Sequence, residues 1–578
     1  MLAGDPVGGR GKGASTVHES LATKAAADAA RTPGRFAWFV GLCVFSAALP
    51  SLREKRVCGP AAISALSVTG SARRGGVPDG PPVQISRFGL AEFVRPRARR
   101  KASPRSVTRA TFVLPMNPPA SATPAPVLER RLGLLPASAL NMANMLGAGP
   151  FITISTLMSA MAGPQSMLGW IVALLIAIPD GMIWSELGAA MPGSGGTYRY
   201  LREGFARLGC GRLMGFVFLI QLMISGPLEI ASGYIGFLRY LDYLWPGILA
   251  DGMPTWRGGV VVTVLGVSLI ALLYRRIASV GKLLVAIWVG VLVAVGGVLV
   301  TGAMHFDPKL AFDFPTDAFR FSWGFALGLG AAARTGIYDF LGYYDVCYLG
   351  DEVKDPGRTI PRSILISLVS VAVIYVGINL SIIGSVPWRT IVPEEKHPEA
   401  MYVVSAFMEQ IHGPGIARFF TVMVLWTCVG SCVALLLGYS RIPYAAARDG
   451  DFFSVFGRLH PTRAFPHVSL VVIGLLAIAG AFIRFGIVLD TLIATRILVQ
   501  FAGQIAAVIL LRRDRPGMER PYRIWFYPVP LVLAGVGWTF VYCTLPVSVM
   551  LFAAGSLLGA GLLYVLWRKG QGSAFRTG

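Results

Sequence analysis

The sequence predicts an all-α integral membrane protein of about twelve transmembrane helices. The chain has 578 residues, of which 54% are hydrophobic and only 14% are charged, whereas about a quarter of an ordinary soluble domain is charged. Apolar stretches long enough to cross a bilayer core recur along most of the chain. Lys and Arg also alternate between successive loops in the way that membrane orientation requires. Together these observations favour lipid as the surrounding solvent.

The apolar stretches run from Leu132 to Trp567. A helix needs about 20 residues to cross the hydrocarbon core, and each stretch comes close to or exceeds that length. The predicted spans are residues 133–159, 166–190, 213–238, 258–274, 279–302, 322–350, 363–386, 415–440, 468–486, 489–511, 526–545 and 547–567.

The distribution of basic residues predicts the orientation of these spans. With residues 128–132 on the inner side, the inner loops contain 24 Lys and Arg, whereas the outer loops and helix ends contain 8, with Arg239 among them. Cytoplasmic loops are the ones that carry such an excess. We therefore expect a multi-pass protein of the cytoplasmic (inner) membrane, in contact with the lipid bilayer and with both termini in the cytoplasm.

Three regions are predicted along the chain. Residues 1–128 form a basic extension rich in Pro, Gly and Ser, residues 129–511 form a ten-helix core, and residues 512–578 form two appended helices and a cytoplasmic tail. The composition changes sharply at Met116, which we interpret as the native start of translation. The alternative is a disordered basic arm near the cytoplasmic membrane face.

The first span contains the cluster Gly147-Ala148-Gly149-Pro150 near its middle. In a helix interior Gly is about 1 kcal/mol and Pro about 3 kcal/mol less favourable than Ala. The cluster therefore favours a break, and unwound backbone at that depth is tolerated only beside protein or a cavity. The N–H groups of the following half-helix could hold a carboxylate. The alternative is a small-residue motif for close helix packing.

The sixth span is also irregular. It contains Arg334, Asp339 and Asp345 together with two glycines, Gly336 and Gly342. A helix facing lipid could not keep three charges at this depth. The first and sixth spans are the first members of two five-helix halves, and interrupted segments in corresponding positions of two halves point to a transporter site.

Four motifs resemble those of the amino acid–polyamine–organocation permease superfamily. They are Met145-Leu146-Gly147-Ala148-Gly149-Pro150-Phe151-Ile152, then Glu186-Leu187 with Met191-Pro192-Gly193-Ser194-Gly195-Gly196-Thr197-Tyr198, then residues 350–362, and finally Ser440-Arg441 with residues 447–450. The resemblance implies a five-plus-five inverted repeat with interrupted helices one and six, to which helices eleven and twelve are appended. It also implies a substrate site between helices one, three, six and eight that works by alternating access.

Two positions depart from the family's pattern. Pro150 stands where the first break usually has Ile. Some proton-coupled relatives carry a lysine deep in the fifth helix, whereas here that stretch is apolar around Val291. We expect no cofactor, and we favour a proton over sodium as the coupling ion.

The candidate site combines the first break with buried acids. The predicted substrate-binding residues are Gly147, Ala148, Gly149, Glu229, Asp339, Tyr344 and Asp345, and the predicted gating or structural residues are Glu186, Arg334 and Glu352. We assign Asp345 to binding of an ammonium group, with a helix-end cap as the alternative. Glu229 would attract a cation or carry the coupled proton, with an ion pair to Arg334 or Arg496 as the alternative.

Two further acids are predicted to be structural. Asp180 in helix two and Asp339 in helix six are both able to pair with Arg334, which would form a buried network. Counting Glu229, Asp339 and Asp345 against Arg334 alone gives the site an anionic balance. This balance predicts a substrate with at least one ammonium group.

The predicted function is secondary active transport of a small-molecule substrate, an amino acid or a polyamine-like organic amine. We predict no catalytic residues, no metal site and no nucleic-acid partner. The six histidines lack HExxH spacing, so an intramembrane metalloprotease is disfavoured. The alternative is a membrane-embedded sensor or a channel-like protein without coupled transport. A sensor would bind without flux, and a channel would not concentrate its solute.

We predict that a chain beginning at Met116 inserts and transports as well as the full chain, because the residues before it contribute no span. Uptake by cells expressing each form, normalised to the amount of protein in the membrane, measures this. Complete loss of uptake on removal of residues 1–115 would contradict it.

Overall fold

The computed structural model describes the part of the chain that contains all the predicted spans. The described residues are 130, 132–193, 195–275, 280–393, 397–461 and 465–574. The basic extension predicted at residues 1–128 and the proposed start at Met116 lie outside them.

The described residues are mostly helical. The helices are α1 (Leu134–Met145), α2 (Gly149–Ile152), α3 (Ile154–Met161), α4 (Leu168–Ala190), α5 (Thr197–Gly204), α6 (Gly211–Leu244), α7 (Trp256–Arg275), α8 (Val280–Met304), α9 (Pro308–Ala311), α10 (Trp323–Phe340), α11 (Pro356–Ile383), α12 (Val403–His412), α13 (Pro414–Arg448), α14 (His467–Gly480), α15 (Phe485–Arg496), α16 (Ala502–Asp514), α17 (Val529–Cys543) and α18 (Val547–Ala574). A short antiparallel pair, β1 (Leu249–Ala250) and β2 (Met253–Pro254), aligns Leu249 with Pro254.

Seven helical segments of the described chain are long and apolar enough to cross a membrane. They are Pro164–Ala190, Gly211–Leu244, Trp256–Tyr274, Pro356–Ile383, Pro414–Arg448, Phe485–Asp514 and Val547–Lys569. Three shorter apolar helices, Trp288–Met304, His467–Gly480 and Val529–Cys543, accompany them. Every predicted span overlaps at least one helix. The protein is thus a multi-pass helical membrane protein, while the count of twelve spans stays a prediction.

The helices show a lipid-facing and an interior side. Large apolar side chains such as Leu175, Val373 and Leu558 are 65%, 69% and 74% exposed. On a soluble protein so many exposed apolar residues would form aggregation-prone patches, whereas in a bilayer they contact acyl chains. The interior side instead buries aromatic residues, including Trp184 and Tyr343.

Helical conformation stops at two places inside the bundle. After α1 the chain leaves the helix at Leu146 and resumes it as the four-residue α2 at Gly149. After α10 the chain turns through Gly342, whose φ of +108° favours glycine, and continues as a 3-10 turn over Asp345–Tyr348. Both interruptions fall where the sequence predicts irregular backbone.

One phenol serves both interruptions. The hydroxyl of Tyr375, in α11, donates to the carbonyl oxygen of Met145 and lies 2.9 Å from that of Asp339. Both carbonyls belong to helix ends that lose an intrahelical partner where the helix stops. A buried carbonyl without a partner is costly, so Tyr375 stabilises the two breaks next to each other.

The third predicted span is longer than expected, which corrects one assignment. The prediction ends this span at residue 238 and counts Arg239 among the outer loops and helix ends, but α6 continues to Leu244 and buries Arg239, with its guanidinium 4.8 Å from the ring centre of Phe485. The chain has no Gly or Pro between the predicted end of the span at Leu238 and Pro246, so the helix continues. Asp242 then accepts backbone N–H groups of residues 247–249, which ends the segment. Without Arg239 the basic residues number 24 against 7.

The predicted inner loops contact one another through charged residues. Tyr198 of α5 donates to Asp451 at 2.8 Å, and Arg202 forms an ion pair with the same carboxylate at 3.1 Å. Burial, together with the Asp451 carboxylate, raises the pKa of the Tyr198 phenol above its ordinary value. Glu352 pairs with Arg441 at 3.3 Å. The motif segments that follow the second, sixth and eighth predicted spans are far apart in the sequence, and these contacts join them on one side of the bundle.

Candidate substrate site

A small cavity lies where the first interruption meets three other helices. It has a volume of about 20 Å³ and is bounded by α1 and α2, α6, α10 and α13. Its lining residues are Asn144, Met145, Ala148, Gly149, Glu229, Ser232, Gly233, Tyr338, Asp339, Leu341, Ser431 and Leu435. A cavity of this size holds about one water molecule. The helices therefore close around the site in this conformation.

A second cavity of about 80 Å³ adjoins the first and shares Asn144 and Leu435 with it. Its lining includes Asp345, Tyr439 and Arg441. A larger groove of about 540 Å³ lies between α6, α14, α15 and α18, with a lining that is almost entirely apolar. That groove has no charged lining residue and suits acyl chains rather than a charged solute.

The glycines of the first break allow close approach of neighbouring side chains. A Cβ atom at Gly147 would lie 2.5 Å from the Ser431 hydroxyl oxygen, and one at Gly149 would clash with the Asp339 carboxylate. Among the described residues, the backbone N–H groups of Gly147 and Ala148 donate to no backbone carbonyl. The break therefore presents free donors beside a buried acid.

Glu229 takes part in a buried ion pair. It lies in α6 two residues after Pro227, and its carboxylate is 2.5 Å from the guanidinium of Arg496 at the end of α15. Tyr439 also donates to this carboxylate. Arg496 is 1% exposed and donates to Tyr344 at 2.8 Å as well. Glu229 therefore forms the ion pair with Arg496 that the sequence analysis gave as the alternative to a free acid.

Asp339 and Asp345 each keep one oxygen without a hydrogen bond among the described residues. Asp339 accepts from the Thr153 hydroxyl at 2.6 Å, and Asp345 accepts from the Asn144 side-chain amide. Asp339 lines the smaller cavity and Asp345 the larger one. A buried carboxylate oxygen without a partner is costly, so each position suits a ligand that donates hydrogen bonds.

The predicted network around Arg334 is wrong. Arg334 forms its ion pair with Asp490 of α15, at 2.6 Å, rather than with Asp180 or Asp339. The physical reason is direction: Asp339 follows Arg334 by five positions on α10, and its side chain faces Thr153 instead. The basic residue that contacts a site acid is Arg496, which forms an ion pair with Glu229. The expected anionic balance therefore needs correction, because Glu229 is neutralised and only Asp339 and Asp345 remain without a cation.

The gating candidates lie away from the cavities or at their inner edge. Glu186 of α4 accepts from Arg512 at 2.8 and 2.5 Å and from the backbone N–H of Ile524 at 2.8 Å. It therefore joins α4 to α16 and to the segment before α17. The Glu352 carbonyl accepts from the backbone N–H of Leu132 at 2.9 Å, which fixes the start of the bundle to the segment after α10.

Sequence reasoning missed three polar residues of the site. Asn144 separates the two cavities, Tyr439 donates to Glu229, and Ser431 contacts Gly147. Asn144 lies within the motif of the first break, so its polarity in an apolar span was a usable signal. Tyr439 and Ser431 have no such signal, because tyrosine and serine are common in helix packing.

Two interrupted helices meet around buried acids in the interior of this multi-pass membrane protein. Residues 132–566 match the family described as Amino acid permease. The chain therefore belongs to that family, and the resemblance to the amino acid–polyamine–organocation superfamily is confirmed. This membership supports a transporter.

Individual relatives align over most of their length. A transporter of Mycobacterium tuberculosis with no assigned substrate is 30% identical over 446 residues, covering 75% of this chain and 90% of that protein. The methylthioribose transporter and the branched-chain amino acid permease of Bacillus subtilis are each 24% identical, over 461 and 462 residues, and both alignments cover 76% of this chain and 94% of the relative.

We predict that Arg496→Met and Glu229→Met each lower the free energy of unfolding by about 3–5 kcal/mol, because each leaves the other charge buried and unpaired. The double variant should recover most of that loss, since two apolar side chains can replace a buried pair. Thermal unfolding of the purified protein in detergent measures all four forms. A double variant as unstable as the sum of the single variants would show that the pair is not the coupled unit.

Proposed function

We propose that this protein is a secondary active transporter that carries amino acids or closely related organic amines across the cytoplasmic membrane. The observation that supports this most strongly is the small cavity between α2, α6, α10 and α13, whose lining contains both Asp339 and Ala148, a residue whose N–H donates to no backbone carbonyl among the described residues. Backbone N–H groups suit a carboxylate, and an acid suits an ammonium group. An amino acid carries both groups.

We propose alternating access as the mechanism. The cavity is far smaller than any amino acid, so substrate enters only when the helices around it move apart. In the proposed architecture the twelve spans contain a five-plus-five inverted repeat, with α1–α3 and α10 as the interrupted members and α17 and α18 appended. The excess of Lys and Arg in the inner loops supports cytoplasmic termini.

The corrected charge balance favours an amino acid over a polyamine. A polyamine needs two acids at separated points and no clamp for a carboxylate. Glu229, one of the two acids that could serve it, is neutralised by Arg496. Asp339 and Asp345 are left, and the cavity that Asp339 lines also contains the N–H of Ala148, a donor that a polyamine would not use. The relatives described above include a branched-chain amino acid permease.

A proton is the proposed coupling ion. Asp339 and Asp345 are buried, contact no cation among the described residues, and each keeps one carboxylate oxygen without a hydrogen bond, so each could carry a proton. Sodium stays the second choice.

We predict that Asp345→Asn lowers uptake of a cationic substrate at least about tenfold, because loss of a buried charge partner costs roughly 2–5 kcal/mol. Uptake of labelled L-leucine, L-lysine, L-aspartate and putrescine into vesicles of defined lipid, under imposed proton or sodium gradients, measures this. Putrescine should compete least.

Asp313→Asn is the matched control. Asp313 pairs with Arg389 outside the spans, where that guanidinium holds the pKa of the Asp313 carboxyl below its ordinary value, so uptake should not change. Unchanged kinetics in both Asp345→Asn and Glu229→Gln would contradict the ammonium assignment. Failure of wild-type protein to concentrate any of the four solutes would favour a sensor or a channel.

A further inference from the structure

The buried carboxyl groups of the described residues fall into three groups. Glu186, Glu229 and Asp451 each contact an arginine. Asp339 and Asp345 line the two cavities and keep an oxygen free for a ligand. Asp180 alone forms the third group, because among the described residues it has no basic partner and lines neither cavity.

Asp180 is bound only by neutral donors. It lies in α4 directly after Pro179 and is 0% exposed. The Tyr343 hydroxyl lies 2.5 Å from its Oδ2 atom, and the indole N–H of Trp538 in α17 donates to Oδ1 at 3.1 Å. An ionised carboxylate buried without a cation costs several kcal/mol, which two neutral hydrogen bonds offset only in part.

Among the described residues, the elements packed against α4 place no cation in hydrogen-bond contact with Asp180. These elements are the segment Pro164–Met167, α10, α11, α16 and α17. Their titratable or charged residues, together with those of the turn after α10 that supplies Tyr343, are Arg334, Tyr338, Asp339, Tyr343, Tyr344, Asp345, Cys347, Tyr348, Arg358, Arg362, Tyr375, Arg512, Arg513, Asp514, Tyr542 and Cys543. The two buried or half-buried arginines are engaged elsewhere: Arg334 pairs with Asp490, and Arg512 pairs with Glu186. On α4 itself the neighbouring acid is Glu186, one and a half turns further on and held by Arg512.

Both protonation states of Asp180 fit the same partners. As a carboxylate it accepts from the Tyr343 hydroxyl and from the Trp538 indole. As a carboxylic acid it donates its proton to the phenol oxygen of Tyr343 and still accepts from Trp538. The site can therefore gain or lose a proton without any rearrangement of the side chains that hold it.

Tyr343 connects Asp180 to the substrate site. It follows Gly342 in the turn after α10, and its ring contacts that of Tyr344 at 4.8 Å between centres. The Tyr344 hydroxyl accepts from Arg496, whose other partner is the cavity-lining Glu229. A shift of this turn as the site opens would change the hydrogen bond at Asp180 and the contacts of Arg496 together.

We propose that Asp180 is a proton-binding site, distinct from the substrate cavity, whose occupancy is coupled to the position of the turn after α10. The proposal rests on the proposed function in one respect: the bound proton drives substrate accumulation only if the protein transports. Proton binding itself requires no substrate and is therefore tested separately.

Infrared difference spectroscopy of the wild-type protein in lipid, titrated with acid and base, tests proton binding. We expect a carboxylic C=O band that disappears as the pH rises and is missing from Asp180→Asn. Asp313→Asn, which removes an exposed carboxyl outside the spans, should keep the band. A full set of bands in Asp180→Asn would overturn the proposal.

Tyr343→Phe keeps the ring and removes the hydroxyl that contacts Asp180. It tests the same proton site if Asp180→Asn does not fold. Loss of a donor destabilises the carboxylate relative to the acid, so the band should persist to higher pH than in the wild type. An unchanged midpoint would mean that Tyr343 does not hold the titrating group, which also overturns the proposal.

Transport in vesicles tests the coupling, with whichever of L-leucine, L-lysine, L-aspartate or putrescine the wild type carries fastest. Asp180→Asn should retain exchange of labelled for unlabelled solute and lose accumulation driven by a proton gradient. Full gradient-driven accumulation in this variant would overturn the proposal. If the wild type carries none of the four solutes, the proposed function fails, while the infrared result still decides whether Asp180 binds a proton.

Discussion

The ion pair between Glu229 and Arg496 is the interaction on which the interior of this protein depends. It joins α6 to α15 at a distance of 2.5 Å, deep in the bundle, and Arg496 also reaches Tyr344 beyond the interruption of α10. Neither charge could remain at this depth alone, because removal of either partner leaves an unpaired ion in a medium of low dielectric constant. Three segments that are far apart in the sequence therefore have to meet at this point.

Irregular backbone surrounds this ion pair. Arg496 is followed directly by a π-helical turn over Ile497–Phe501, a wider turn that often occurs at functional sites. The first and sixth spans are also interrupted in this region. At each interruption a backbone carbonyl loses its partner within the helix, and Tyr375 contacts both of these carbonyls. Non-helical backbone inside a membrane is stable only where protein groups satisfy it, and the Tyr375 phenol supplies such a group.

Much of the fold was accessible from the sequence, because a bilayer leaves few alternatives. Length and hydropathy predicted helices in every span, and the Gly147–Pro150 cluster predicted the first interruption. The predicted end of α6 was wrong. Hydropathy alone ends the span before a charged residue, and it does not show that the Arg239 side chain packs over the ring of Phe485 while the helix continues.

The site was predicted only in part. The candidate acids Glu229, Asp339 and Asp345 do lie around the interruptions, but their partners were not predictable from spacing. Whether Arg334 or Arg496 neutralises Glu229 depends on how α10 and α15 rotate about their axes, which requires the packing of the whole bundle. Asp180 shows the same limit, since its partners Tyr343 and Trp538 lie 163 and 358 residues away along the chain.

In the proposed function, substrate binds in the small cavity where Ser431 of α13 lies next to Gly147 at the first interruption. The most direct measurement is the rate at which a thiol reagent modifies Ser431→Cys, in a protein whose other cysteines are replaced by serine, with and without a transported amino acid. We expect slow modification that saturating substrate slows further, because substrate occupies the space in front of the thiol. A rate that substrate leaves unchanged, in a variant that still binds substrate, would contradict binding in this cavity.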